Sequence, residues 1–218
     1  MENKLDQELK RLMNDFKQSA PEDVQEIIGK GISTLAESDL IANAVKTGDK
    51  APDFVLSNQL GEKISLSNLL QNGPVVLTWY RGGWCPFCNM QLQYMQLSLP
   101  AFQELGASLI ALTPEKPDGS LSVKEKNELE FEVLSDSNNQ VAKSYGIVFK
   151  LEDEVSELYK NKFGLDLEAY NDSNSDELPV PATYVIDKTG LVKYAYLNAD
   201  YTKRAEPQDI IEVLKTLK

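Results

Sequence analysis

The 218-residue sequence contains no histidine and only two cysteines. Without an imidazole, the Ser-His hydrolases and Cys-His proteases are excluded, because no such general base is available. Any thiolate must be stabilised by another charge or by a helix end. A structural zinc site needs four ligands, normally Cys or His. Two cysteines do not complete one, so a metal would require carboxylates or a second chain, and no metal or other cofactor is expected. Long apolar runs are also missing. No stretch approaches the roughly 20 residues that span a bilayer, and the opening MENKLDQELKRLMNDF lacks the apolar centre of a secretory signal. Positive charge is scarce, with 22 Lys and Arg against 34 Asp and Glu, a formal net charge of -12. Such a surface repels phosphate backbones and anionic lipid, so neither nucleic acid nor membrane is an expected partner. A soluble, cytoplasmic protein is predicted. Structural disulfides are rare in that compartment, where a close cysteine pair more often does chemistry or binds metal.

What is present is strongly patterned. The 42% apolar content is enough for one substantial core and an appended element. In residues 1–46, Leu5, Leu9, Leu12, Met13 and Phe16 form a helical stripe. A second helix is predicted to start between Ser19 and Glu22, with Pro21 in its first turn and Val24, Ile27 and Ile28 following. This is a helical extension that either covers an exposed patch of the main domain or serves as a dimerisation arm.

Residues 47–218 form the main domain. DFVLS and EKISL predict a hairpin around Gly61, and PVVLTWY and ASLIALT predict buried strands on either side of a helix over 86–105. Pro100 should kink that helix or begin a second segment. A charged helix is expected around Val123 to Leu129, then the strand FEVLS, a helix NNQVAKSYG stopped by Gly146, and the strand IVFK. Residues 151–180 read as an insertion, a helix EDEVSELYKNKF followed by a polar loop, which is either a surface excursion or a lid. ATYVID, a KTG turn, LVKYAYLN and a helix from Pro207 close the chain. The whole predicts an α/β fold with a mixed central β-sheet flanked by helices.

Both cysteines lie in WYRGGWCPFCNMQLQ, at the carboxyl end of a predicted central strand, where α/β sheets usually carry their sites. If the helix starts near Cys85, Pro86 occupies its first turn and Cys88 falls on the same face. Cys85, exposed at the helix tip, would be acidified by the helix dipole, with Arg81 adding positive charge. It would attack as a thiolate, and the deeper Cys88 would resolve the product into a disulfide that an external reductant must reset.

The stretch VVLTWYRGGWCPFC resembles the active-site strand, loop and helix start of thioredoxin-fold proteins, with Trp84 before the first cysteine as in thioredoxins. GDKAPDFVLSNQLGEKISLSNLL, LGASLIALTPE, VLSDSNNQVAKSYGI and VPATYVIDKTGLVKYAYLNADYTKRAEP are similar to the AhpC/TSA peroxiredoxin family, in its subgroup carrying CxxC. The resemblance covers residues 47–218 and implies a thioredoxin-like fold. Typical members place Thr or Ser three residues before the first cysteine, where this chain has Gly82. Their two arginines align with Asn139 and Pro181, and Pro181 instead resembles the cis-proline beside the thioredoxin CxxC pair. Arg204 could restore a guanidinium, or cap a helix or pair with a carboxylate. The resemblance implies a thiol-dependent oxidoreductase acting on hydroperoxides, with a disulfide reductase and a redox-sensing interaction protein as alternatives. It also implies an external thiol reductant such as thioredoxin or glutathione, and leaves a homodimer open.

Overall fold

The computed structural model describes residues 4–58, 60–171, 173 and 176–217. Two helices open the chain, α1 (Lys4–Ser19) and α2 (Glu22–Glu37), and a single turn, α3 (Leu40–Asn43), leads out of them. The apolar stripe decides where they pack. Leu5 and Leu9 of α1 are buried in the main core, and Val24 and Ile28 of α2 form a smaller cluster with Leu158 of the insertion. The extension therefore covers its own domain.

The hairpin β1 (Val55–Ser57) and β2 (Lys63–Ser65) forms in register, but Leu66 does not extend it. Leu66 instead begins α4 (Leu66–Asn72), capped by the Ser65 hydroxyl, which accepts the Asn68 N–H at 3.4 Å. Then follow β3 (Val75–Trp79), α5 (Pro86–Glu104) and β4 (Ser108–Thr113). Helix α5 runs on through Pro100 as one element, with Leu99 and Phe102 buried on either side of the proline. The charged helix lies earlier than expected, as α6 (Pro117–Lys126), because Pro117 and Asp118 supply the first turn and Glu128 takes a positive φ.

Beyond β5 (Glu132–Ser135), a 3₁₀ turn with left-handed Asn138 and Asn139 enters α7 (Gln140–Ser144), and Gly146 at φ +68° ends that segment. The expected strand IVFK is β6 (Val148–Lys150), and α8 (Asp153–Lys162) follows. The polar loop expected after it contains the turn α9 (Leu167–Asn171) and a short strand, β7 (Glu177–Pro179), which pairs with β6 outside the central sheet. Residues 172, 174 and 175 of that loop lie outside the described residues. The chain closes with β8 (Ala182–Ile186), β9 (Val192–Leu197) and α10 (Pro207–Lys215).

The central sheet has the order β5-β4-β3-β8-β9, parallel across β5, β4 and β3 and antiparallel across β8 and β9. Alternation along β3 divides the core. Val76 faces the layer of α1, α5 and α10, while Val75, Leu77 and Trp79 face α4 and α7. This is the mixed sheet with helices on both faces that the sequence predicts, and it places Cys85 just beyond the end of its central strand.

Candidate active site

The turn after β3 sets up the cysteines. The Cys85 N–H donates to the Gly82 carbonyl at 3.1 Å, and Cys85 is the N-cap of α5, with Pro86 at the first helical position. Its own carbonyl accepts the N–H groups of Cys88 and Asn89, each at 3.1 Å, so the two side chains share the first turn. The residue three before Cys85 must be glycine here. Gly82 has φ +156°, and a Cβ there would lie 2.2 Å from the Trp84 indole nitrogen. The hydroxyl residue of typical peroxiredoxins is thus excluded by the seating of Trp84.

Both thiols are free, and both are 0% exposed. The expected exposed Cys85 is corrected: the helix tip is covered by side chains from three other segments. Arg81 donates from Nη2 to Cys85 Sγ at 3.4 Å and from Nη1 to the Tyr159 hydroxyl at 3.1 Å. Its guanidinium carbon sits 3.7 Å from the centre of the Tyr201 ring and 4.9 Å from that of Trp84. Trp84 meets Tyr159 edge-on at 5.6 Å, and Phe87 meets Tyr201 edge-on at 5.8 Å. Tyr159 comes from α8 of the insertion and Tyr201 from the segment after β9, so the cover is assembled from distant parts of the chain.

Arg204 is the second cation. It is 5% exposed, donates from Nη2 to Cys88 Sγ at 3.4 Å, and gives Nη1 to the Lys203 carbonyl at 2.9 Å. Helix α10 begins only at Pro207, and none of the ion pairs among the described residues includes Arg204. The capping and carboxylate-pairing roles therefore give way to a contact with sulfur. Each thiol has its own guanidinium.

The two sulfurs are electrostatically unlike. Burial opposes ionisation of Cys85, but the Cys88 thiol that hydrogen-bonds to it and the charges of Arg81 and Arg204 outweigh burial and hold its pKa well below the thiol range. Cys88 is pushed well above that range by burial, by its hydrogen bond to Cys85 and by the Cys85 charge. The surroundings thus favour the thiolate at Cys85 and the thiol at Cys88.

Two cavities meet at this cover. One of about 590 Å³ is walled by Ile28, Ile32 and Leu35 of α2, by Phe149 and Leu151, and by Val155 of α8, and it ends on Arg81, Tyr159 and Tyr201. A second of about 370 Å³ lies on the side of Trp84, Phe87 and Phe163 and shares Arg81, Tyr159 and Tyr201 with the first. The residues that hide Cys85 are thus the wall between two apolar spaces.

Of the residues singled out from sequence, the fold gathers Arg81, Trp84, Cys85, Cys88 and Arg204 into one cluster. Pro181 is buried directly before β8, but no hydrogen bond joins it to either cysteine among the described residues, and the Val180–Pro181 bond is trans. Asn139 donates its side-chain amide to the Glu177 carbonyl at 3.2 Å. Three members of the site were not anticipated. Tyr201 is three residues before Arg204 and Glu115 lies at the carboxyl end of the strand beside β3, both positions where a site residue could be sought. Tyr159 carried no local signal. Among the described residues, no three His, Cys, Asp or Glu side chains are grouped to hold a metal, and no helix is long and apolar enough to cross a membrane.

The AhpC/TSA family model matches residues 47–195. Peroxiredoxin Q of the chloroplast of Oryza sativa subsp. japonica is 29% identical over 185 residues, which cover 85% of this chain and 74% of that protein. The thiol-disulfide oxidoreductase ResA of Bacillus thuringiensis is 26% identical over 151 residues, 68% of each chain. Among solved structures, the peroxidoxin BcpB of Mycobacterium tuberculosis superposes with a TM-score of 0.62 at 22% identity, over 80% of this chain and 99% of that one. Peroxiredoxin Q of Xanthomonas campestris does so with 0.57 at 16% identity, over 75% and 90%. These neighbours share the thioredoxin-like fold.

Proposed function

Because this chain belongs to the AhpC/TSA family and surrounds its two buried thiols so that Cys85 is the more acidic, we propose that it is a thiol-dependent peroxidase for organic hydroperoxides. The observation that carries this reading is the burial of the nucleophile. Cys85 is 0% exposed, held by Arg81, and the larger apolar cavity ends on that same arginine. A slender hydroperoxide can enter that cavity as far as Arg81, whose guanidinium alone stands between it and the sulfur it donates to, whereas a disulfide on a protein surface needs a sulfur at the rim.

The cycle follows from the charges. Cys85 thiolate attacks the distal peroxide oxygen, the O–O bond breaks, and the alkoxide leaves and takes a proton from water to become the alcohol. Arg81 and Arg204 stabilise the negative charge spread over sulfur and oxygens in that step. Cys85 becomes a sulfenic acid, which is neutral. Burial still opposes ionisation of Cys88, but the Cys85 charge that added to it is then gone, while Arg204 remains beside it. Cys88 loses its proton and attacks Cys85 sulfur; the departing hydroxide leaves as water and the Cys85–Cys88 disulfide forms. An external thiol reductant of the thioredoxin or glutathione kind returns both sulfurs to the reduced state. Such a reductant fits a reducing cytoplasmic compartment, and the packing of α1 and α2 on their own domain leaves other faces for any self-association.

A disulfide reductase is the second reading, supported by the adjacency of the two cysteines in one helical turn. A sulfenic-acid trap separates the two. With Cys88→Ser, stoichiometric organic hydroperoxide should leave Cys85 as a trappable sulfenic acid by mass, and Cys85→Ser should remain unmodified. Trapping of a mixed disulfide with a model protein substrate, and no sulfenic acid from hydroperoxide, would establish the reductase instead.

A further inference from the structure

Glu115 has no part in the steps above, yet it lies against the loop that carries Cys85. It stands two residues past β4, is 2% exposed, and accepts the Gly83 N–H on Oε2 at 2.9 Å. Space for it is left by Gly119 of α6, where a Cβ would come within 3.3 Å of its side chain. None of the ion pairs among the described residues includes Glu115. The titratable groups facing it are Cys85 from the N-terminus of α5 and the buried phenol of Tyr80 from the end of β3, with the Thr113 hydroxyl beside both.

A buried carboxylate hydrogen-bonded to the loop of a buried thiolate is a like charge beside it in a medium that screens poorly. The two cannot both be ionised as easily as either alone, and their titrations are coupled. We propose that Glu115 is the redox-linked proton site of the Cys85–Cys88 pair, taking up a proton when the disulfide is reduced and releasing it when the disulfide forms. An external dithiol gives two electrons and two protons; the S–S bond breaks, Cys88 keeps one proton as its thiol, Cys85 is left as a thiolate, and the second proton is shared between Glu115 and water, Glu115 holding up to about half of it at neutral pH. Oxidation runs the same balance in reverse. In support, burial and the Cys85 charge, against the Gly83 and Thr113 hydrogen bonds, raise the Glu115 pKa to about 7, where a change of charge nearby moves its protonation most.

The inference rests on the cysteine pair cycling, and not on which oxidant drives it, so its test uses only an external dithiol. The infrared difference spectrum between reduced and oxidised protein at neutral pH is recorded for wild type and for Glu115→Gln, which keeps an acceptor for the Gly83 N–H. Proton uptake per disulfide reduced is counted in parallel, corrected for the reductant. The expected result is a protonated-carboxyl band gained on reduction in wild type and absent in the variant, with uptake falling from as much as about one and a half protons to about one. Absence of that band from wild type, which needs no variant to fold, or equal uptake in the two proteins, would overturn the proposal. A failed peroxide reading would leave both readouts as expected.

Discussion

Arg81 shows how one side chain decides the chemistry of another. Its guanidinium is buried, donates to Cys85 Sγ and is stacked on Tyr201, so its charge falls on sulfur with little screening from water. An opposite charge at this distance typically lowers a pKa by about 1–3 units. Arg81→Gln should therefore move the alkaline limb of Cys85 alkylation upward by about that much, read as the rate of iodoacetamide reaction against pH. A profile that does not move would assign the acidity of Cys85 to the Cys88 hydrogen bond, Arg204 and the helix end instead. Glu115 gives a prediction of opposite sign. Its folded-state pKa of about 7 lies above the ordinary 4.5, so between those values the folded chain holds a proton that the unfolded chain has released. The stability linked to it is full below the unfolded value and lost as pH rises through the folded one, by about 3 kcal/mol in all. Glu115→Gln should flatten urea-unfolding stability between about pH 5 and pH 8 by that order, and an unchanged slope would mean that other groups carry it.

At the scale of elements, the helical extension and the insertion build the surroundings of a site whose nucleophiles lie elsewhere. Leu5 is fully buried in the core cluster that includes Met95 and Leu99 of α5, so Leu5→Ala should cost about 2–5 kcal/mol in a single unfolding transition. A separate early transition in calorimetry would show instead that the extension melts on its own. Helix α2 walls the larger cavity through Leu35. Leu35→Trp should lower kcat/KM for cumene hydroperoxide by about tenfold more than that for hydrogen peroxide; an equal effect on both would place the entry route elsewhere. The elements on which the cysteines stand were legible because their signals are local: an apolar strand, Pro86 in the first turn of α5, an amphipathic helix, and a terminal hairpin. Helix α4 was missed because the alternation of EKISL continues through Leu66, although Ser65 is a capping residue. Strand β7 was missed because ELP reads as a turn, and only its pairing with β6 gives it a strand's hydrogen bonds. The nucleophile pair and both arginines were legible as residues, but the burial of Cys85 was not. Its cover of Tyr159 and Tyr201 is made by contacts between segments far apart in sequence, and no local pattern announces them.

For the whole molecule, the chain carries a formal net charge of -12 while its centre gathers two guanidinium groups around the cysteine pair, beside one carboxylate of intermediate pKa. The central claim is that this buried, arginine-held Cys85 reacts with hydroperoxide and is resolved by Cys88. The most direct test is stopped-flow mixing of the reduced protein with an organic hydroperoxide, following Trp84 fluorescence and identifying the product by mass. The account predicts oxidation far faster than that of a free thiol, followed by a second phase that ends in the Cys85–Cys88 disulfide and is missing in Cys88→Ser. Oxidation at free-thiol rates, with rapid exchange against protein disulfides, would contradict it.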